Sequence, residues 1–134
     1  MSKKYHKFYC RVYHEDTDLG GIVYYANYLK FVERARSEWL RDLGINQNGI
    51  KTQNGSILVV KRMEADYLIP AKYDDDLIII TSIKEMTGAR VLLNQDIYRA
   101  GEVIFKSVVT IVCVKIGGKI SKLPADIRRL INEN

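Results

Sequence analysis

One long helical repeat, followed by strand-length repeats over most of the remaining chain, restricts the folds open to this sequence. Tyr28, Val32, Ala35, Trp39 and Leu43 recur at spacings of three and four, joined by Leu29, Phe31 and Leu40. Lys30, Glu33, Arg34, Glu38 and Arg41 fill the other positions. This is the period of an amphipathic helix, predicted over residues 24–43. Gly44 follows as the C′ residue, where a positive φ meets no Cβ clash. Arg34 and Glu38 make an i,i+4 pair worth only about 0.2–0.5 kcal/mol on a surface.

Ahead of the helix, residues 5–13 read as a strand rich in Val, Tyr and Phe, and residues 14–21 as a polar loop. Behind it, past a polar stretch, strands are predicted near 56–69, 75–87, 89–100 and 102–116. Asp74-Asp75-Asp76, Gly88, Ala100-Gly101 and Gly117-Gly118 mark the turns and the end of the last strand. Pro124 opens a short amphipathic helix with Ile127, Leu130 and Ile131 on its apolar side. A lone amphipathic helix needs a curved sheet to bury its stripe, which makes this an α+β chain. One sheet around one helix leaves an outer face and edges uncovered, so oligomerisation is expected.

At 134 residues the chain is one domain, 1–134, with a single core and no room for a separate cofactor domain. The net charge of +5 suits an anionic small molecule. Basic residues gather only as Lys3, Lys4 and Lys7 and as Arg128 and Arg129, too few for a nucleic-acid-binding run. No stretch reaches the roughly 18 apolar residues of a membrane span. The polar N-terminus lacks the apolar core of a signal peptide, so the expected compartment is the cytoplasm. Cys10 and Cys113 sit in strand-like runs without metal-ligand spacing and read as buried free thiols.

The chemistry concentrates in His14-Glu15-Asp16-Thr17-Asp18-Leu19-Gly20-Gly21-Ile22-Val23-Tyr24-Tyr25. Three carboxylates, then two glycines, lead into the long helix. Such a loop sets an acid or base beside a helix N-terminus, whose unpaired N–H groups and positive dipole can stabilise an oxyanion. Taken alone, the same residues also fit an acidic loop that merely caps the helix.

The run from Arg11 to Leu40, RVYHEDTDLGGIVYYANYLKFVERARSEWL, resembles the hydroxybenzoyl-CoA thioesterase family, and within it the Tol-Pal-associated acyl-CoA thioesterase branch. The likeness continues through Tyr73-Asp74-Asp75, Ile83-Lys84-Glu85 and Leu123-Pro124-Ala125-Asp126. It implies the hotdog fold, an antiparallel sheet wrapped around one long helix. It also implies hydrolysis of an acyl-CoA thioester, with a short-chain or aryl acyl group, and a homodimer or homotetramer with its active site at the subunit interface. No metal or other cofactor is implied. The family's catalytic aspartate falls on Asp18. The backbone N–H that polarises the thioester carbonyl falls on Tyr25.

Two departures stand out. Tol-Pal relatives commonly carry His where this chain has Tyr25, and a phenol titrating near 10 is no easy base at neutral pH. The basic cluster that grips CoA phosphates in hydroxybenzoyl-CoA relatives reads Met86-Thr87-Gly88-Ala89-Arg90 here. Lys84 and Arg90, flanking that turn, are the expected phosphate contacts.

Asp16 and Glu15 read as structural loop carboxylates, Asn27 and Tyr28 as supports of the first helical turn, and Trp39 as core. Glu33, at an acidic position of the family, either lines the acyl pocket or pairs with Arg36 or Arg34, and the ion pair is the expectation. His6 and His14 are too isolated for a metal site, and His14 reads as a surface residue at a strand end. Acyl carrier protein is a further candidate partner. The competing readings are a non-catalytic acyl-carrier-protein or envelope-complex binding module, which would not need Asp18, and a hotdog dehydratase, which would need a histidine at the start of the helix.

Overall fold

A computed structural model describes residues 4–133; Lys3 of the N-terminal basic group lies outside them. Strand β1 (His6–Arg11) is followed by a 3-10 turn (His14–Asp16) and by helix α1 (Asn27–Asp42). Helix α2 (Gln47–Asn54) leads into strands β2 (Ser56–Tyr67), β3 (Asp76–Met86), β4 (Arg90–Arg99), β5 (Glu102–Lys115) and β6 (Ile120–Ser121), and helix α3 (Ala125–Glu133) closes the chain. The strands form one antiparallel sheet in the order β1-β3-β4-β5-β2, with β6 paired to β5. This is the expected hotdog arrangement.

The helix stripe and the sheet alternation meet in one core. Phe31, Val32 and Ala35 of α1 are buried against Leu77 and Ile79 of β3, Leu93 and Ile97 of β4, and Phe105 and Val109 of β5. Full burial of a side chain of this size contributes about 1.5–3 kcal/mol. A polar centre joins the helix to the sheet. Gln95, fully buried on β4, donates to the Val32 carbonyl (3.1 Å) and the Thr81 hydroxyl (3.0 Å), and accepts from Arg36 (2.9 Å). With its partners made, the amide escapes the desolvation cost of about 1–3 kcal/mol for an unpaired buried group.

Several sequence expectations shift. Helix α1 starts at Asn27 rather than residue 24, because Val23 and Tyr24 donate their N–H groups to the Ala71 and Asp16 carbonyls and are held out of the helix. Its end agrees: Gly44 has φ +85° and donates to the Arg41 carbonyl. Helix α2 replaces the predicted polar stretch. Asn46 caps it by accepting from the Gly49 N–H (3.2 Å), and Gly55 ends it in the left-handed conformation. Ile50 is its one buried residue, so no apolar period announced it. On α1, Glu38 pairs with Arg41 (2.6 Å) instead of Arg34, and Glu33 accepts from the Ser37 hydroxyl (3.2 Å) instead of an arginine. Both cysteines are free thiols. Burial, reinforced by the Asp16 charge and only partly offset by Arg34, pushes the Cys10 thiol up to about 11.

Candidate active site

The loop from Val12 to Tyr25 is a small hairpin pinned to the sheet at both ends. The Val12 N–H donates to Asp75 O (2.9 Å), Thr17 bridges Val23, and Ile22 bridges Lys72. Asp16, buried at its base, accepts from the Tyr13 N–H (2.8 Å) and the Asn27 side-chain amide (2.9 Å). One carboxylate thus ties the 3-10 turn to the first residue of α1. The structural role expected of Asp16 and Asn27 is met, while Glu15 lies in solvent.

Asp18 stands at the hairpin tip. Its N–H donates to Ile22 O (2.9 Å) and its carbonyl accepts from Gly21 N–H (3.0 Å). Its Oδ1 accepts from the Gly20 N–H at 2.8 Å, an Asx turn that fixes the carboxylate while leaving it exposed. Both glycines suit this tip. A Cβ at Gly20 would sit 3.2 Å from that same oxygen, and Gly21 has φ +80°.

Tyr25 occupies the turn that opens α1. Its N–H has no acceptor among the described residues. Its carbonyl accepts from the Tyr67 hydroxyl at 2.9 Å. Burial, with Tyr28 and Tyr25 nearby, pushes the Tyr67 phenol above its usual range, so it stays a donor at neutral pH. Tyr67 stands edge-on to Tyr28 and to Phe105, and Tyr28 stacks on Phe105. The Tyr28 hydroxyl accepts from the Ala71 N–H (2.9 Å). This aromatic brace holds the peptide at Tyr25. Sequence reading missed Tyr67, whose signal was only a strand-end aromatic.

Asp18 and Tyr25 therefore share one hairpin, with no hydrogen bond between their own groups. Around them Leu19, Ile22, Tyr24, Leu29 and Leu68 leave a largely apolar exposed surface. Lys84 and Arg90 are elsewhere. Asp76, the first residue of β3, pairs with Arg11 beside the loop, and Lys84 lies eight residues further on, about 26 Å away along the strand. The β3–β4 register slips between Ile83 and Glu85, so Lys84 stands in a bulge. Neither Lys84 nor Arg90 makes an ion pair among the described residues. The histidines are engaged away from Tyr25. His14 stacks on Tyr73 with ring centroids 3.9 Å apart, and His6 Nε2 lies 2.7 Å from Asp42 at the end of α1. No helix among the described residues is long and apolar enough to cross a membrane.

Residues 12–131 match the family model of the thioesterase-like superfamily. The chain is 43% identical over 110 residues to acyl-CoA thioesterase YbgC of Haemophilus influenzae, covering 82% of this chain and 81% of that one. It is 41% identical over 105 residues to acyl-CoA thioester hydrolase YbgC of Escherichia coli O157:H7, covering 78% of each. A probable thioesterase from Bartonella henselae superposes with a TM-score of 0.86 at 39% identity, covering 90% of this chain and 100% of that chain. A 4-hydroxybenzoyl CoA thioesterase mutant in complex with 4-hydroxybenzoyl CoA shares the fold, at a TM-score of 0.89 and 22% identity over 95% of this chain and 98% of that chain. The resemblance carried by Arg11 to Leu40 thus extends to matches over most of the chain, and the chain belongs to the thioesterase-like superfamily.

Proposed function

We propose that this protein hydrolyses acyl-CoA thioesters with Asp18 as the reacting carboxylate and the Tyr25 N–H as the carbonyl-binding donor. The observation that carries this reading is the hairpin itself. It presents a fixed, exposed carboxylate and, in the turn just ahead of α1, an N–H with no acceptor among the described residues. The thioester oxygen accepts from the Tyr25 N–H, and the positive end of α1 favours the charge that develops there. Asp18 Oδ2 then either attacks the carbonyl carbon, expelling CoA thiolate and leaving a mixed anhydride for water to cleave, or takes a proton from an attacking water. The names of the relatives at 41% and 43% identity support the reaction class.

The distance between the loop and Lys84 supports a site shared between subunits. Asp18 and Tyr25 of one protomer would bind the thioester, and Lys84 and Arg90 of the partner subunit would meet the CoA phosphates. Strand β2 is a sheet edge with Ile57, Val60 and Tyr67 exposed, suited to pairing with a second copy. The dehydratase reading has no support from the histidines, since both rings are engaged away from Tyr25. Thiol release from a panel of acyl-CoAs tests the proposal. Turnover is the expected result, and binding of acyl-CoA or acyl carrier protein without thiol release would identify a non-catalytic module instead.

A further inference from the structure

We infer that the acyl group is a long aliphatic chain whose tail enters a cavity beginning two turns down α1 from the Asp18 loop; this deepens the thioesterase reading and rests on it. The cavity holds about 230 Å³ between the C-terminal half of α1, the start of β2 and α3. Trp39, Leu58, Val91, Ile111, Leu123 and Ile131 form its apolar walls. Neither Asp18 nor Tyr25 lines it. Apolar cavities of only about 150 Å³ stay dry and take up benzene-sized guests, so this one is well suited to hydrocarbon.

Two rails run from the loop to the cavity. Leu29, Glu33 and Ser37 are spaced four apart on one stripe of α1, and Tyr25 stands four residues ahead of Leu29 in the turn that leads into the helix. Leu29 is 41% exposed, and Glu33 and Ser37 border the cavity. Strand β2 runs back alongside. Tyr67 at its end bonds the Tyr25 carbonyl, while Leu58, Val59 and Val60 near its start line the cavity. Both charged side chains at the border are held by protein groups. Arg36 turns to buried Gln95, and Glu33 accepts from Ser37. The hydrocarbon walls are left to the guest.

Length decides which acyl groups reach it. Glu33 is 8 residues past Tyr25 and Leu40 is 15. Counting the Tyr24–Asn27 turn with α1 at about 1.5 Å per residue, these stand roughly 12 and 22 Å from Tyr25. An extended chain advances about 1.2 Å per bond, a third of the span of one residue. A tail leaving a carbonyl at the Tyr25 N–H therefore reaches the near wall after about ten bonds and the far wall after about eighteen. Butanoyl and benzoyl groups stop well short, which argues against the short-chain or aryl substrate expected from the sequence.

The test is kcat/KM by thiol release for butanoyl-, benzoyl-, dodecanoyl- and hexadecanoyl-CoA on the full chain. The long substrates should exceed butanoyl-CoA by about tenfold or more. Ser37→Phe puts a ring at the cavity border and should lower the hexadecanoyl-to-butanoyl ratio by about tenfold. Val60→Phe, from the β2 side at a residue 45% exposed, should move the ratio the same way and serves if the first variant does not fold. A preference for butanoyl- or benzoyl-CoA, or a ratio unmoved by either folded variant, overturns the inference and leaves the thioesterase reading standing. Absence of thiol release from all four substrates overturns both.

Discussion

Tyr25 acts in the proposed chemistry through its peptide, and its side chain can be changed to prove it. Among the described residues the N–H faces no acceptor, and the carbonyl is fixed by Tyr67. Tyr25→Phe keeps both groups and should retain most of the turnover. Tyr25→Pro removes the donor at the second position of the Tyr24–Asn27 turn, where proline's fixed φ is favoured. It should lower turnover by about 10²–10³, the usual cost of one oxyanion-hole donor. An inactive Phe variant beside an active, folded Pro variant would transfer the role to the phenol. The carboxylates nearby show how far sequence reaches at this scale. The resemblance gave Asp18 and Asp16 different parts, and their bonds differ: Asp16 spends its oxygens on Tyr13 and Asn27, whereas among the described residues the Asp18 side chain accepts only from Gly20. Tyr67 was not legible, because its role depends on β2 running back along α1, a tertiary fact that no local pattern encodes.

At the scale of elements, the amphipathic helix and the long strands were readable because periods of 3.6 and 2 impose their own geometry. The short α2, with one buried side chain, had no period to read. The turn at Asp74-Asp75-Asp76 was legible as a turn but not as a clamp. Burial alone would raise the Asp75 carboxyl. The Lys72 N–H, the Arg99 hydrogen bond and the charges of Arg99 and Lys72 outweigh it and hold Asp75 below the usual carboxylate range. The Asp75 carbonyl in turn accepts from Val12 at the root of the Asp18 hairpin. Because the folded carboxyl titrates below the unfolded one, its stabilisation is complete above the unfolded value of about 3.9 and is lost as pH falls through the folded value. Melting curves across acid pH should therefore show Asp75→Asn less stable than wild type at pH 6 and the gap closing below about pH 4. A gap independent of pH would mean that the carboxylate's charge is not what stabilises the turn.

For the whole molecule, one sheet around one helix leaves the β2 edge and the surface around the hairpin uncovered. The chain should be a dimer or tetramer by light scattering at micromolar concentration, and a fully active monomer would contradict a site shared between subunits. The expectation of a second copy came from the count of elements alone; the placement of Lys84 did not follow from it, since Lys84 lies at the other end of the strand from the hairpin it was expected to serve. The central claim, that Asp18 carries out the hydrolysis, comes down to Asp18→Asn. Asparagine keeps the size and the oxygen that accepts from Gly20, so the Asx turn survives, but it is neither nucleophile nor base. The measurement is thiol release from an acyl-CoA turned over by the wild type, with a melting curve on both proteins. The account predicts turnover lowered by about 10²–10⁴ with the melting curve unchanged; turnover near wild type in the folded variant would contradict it.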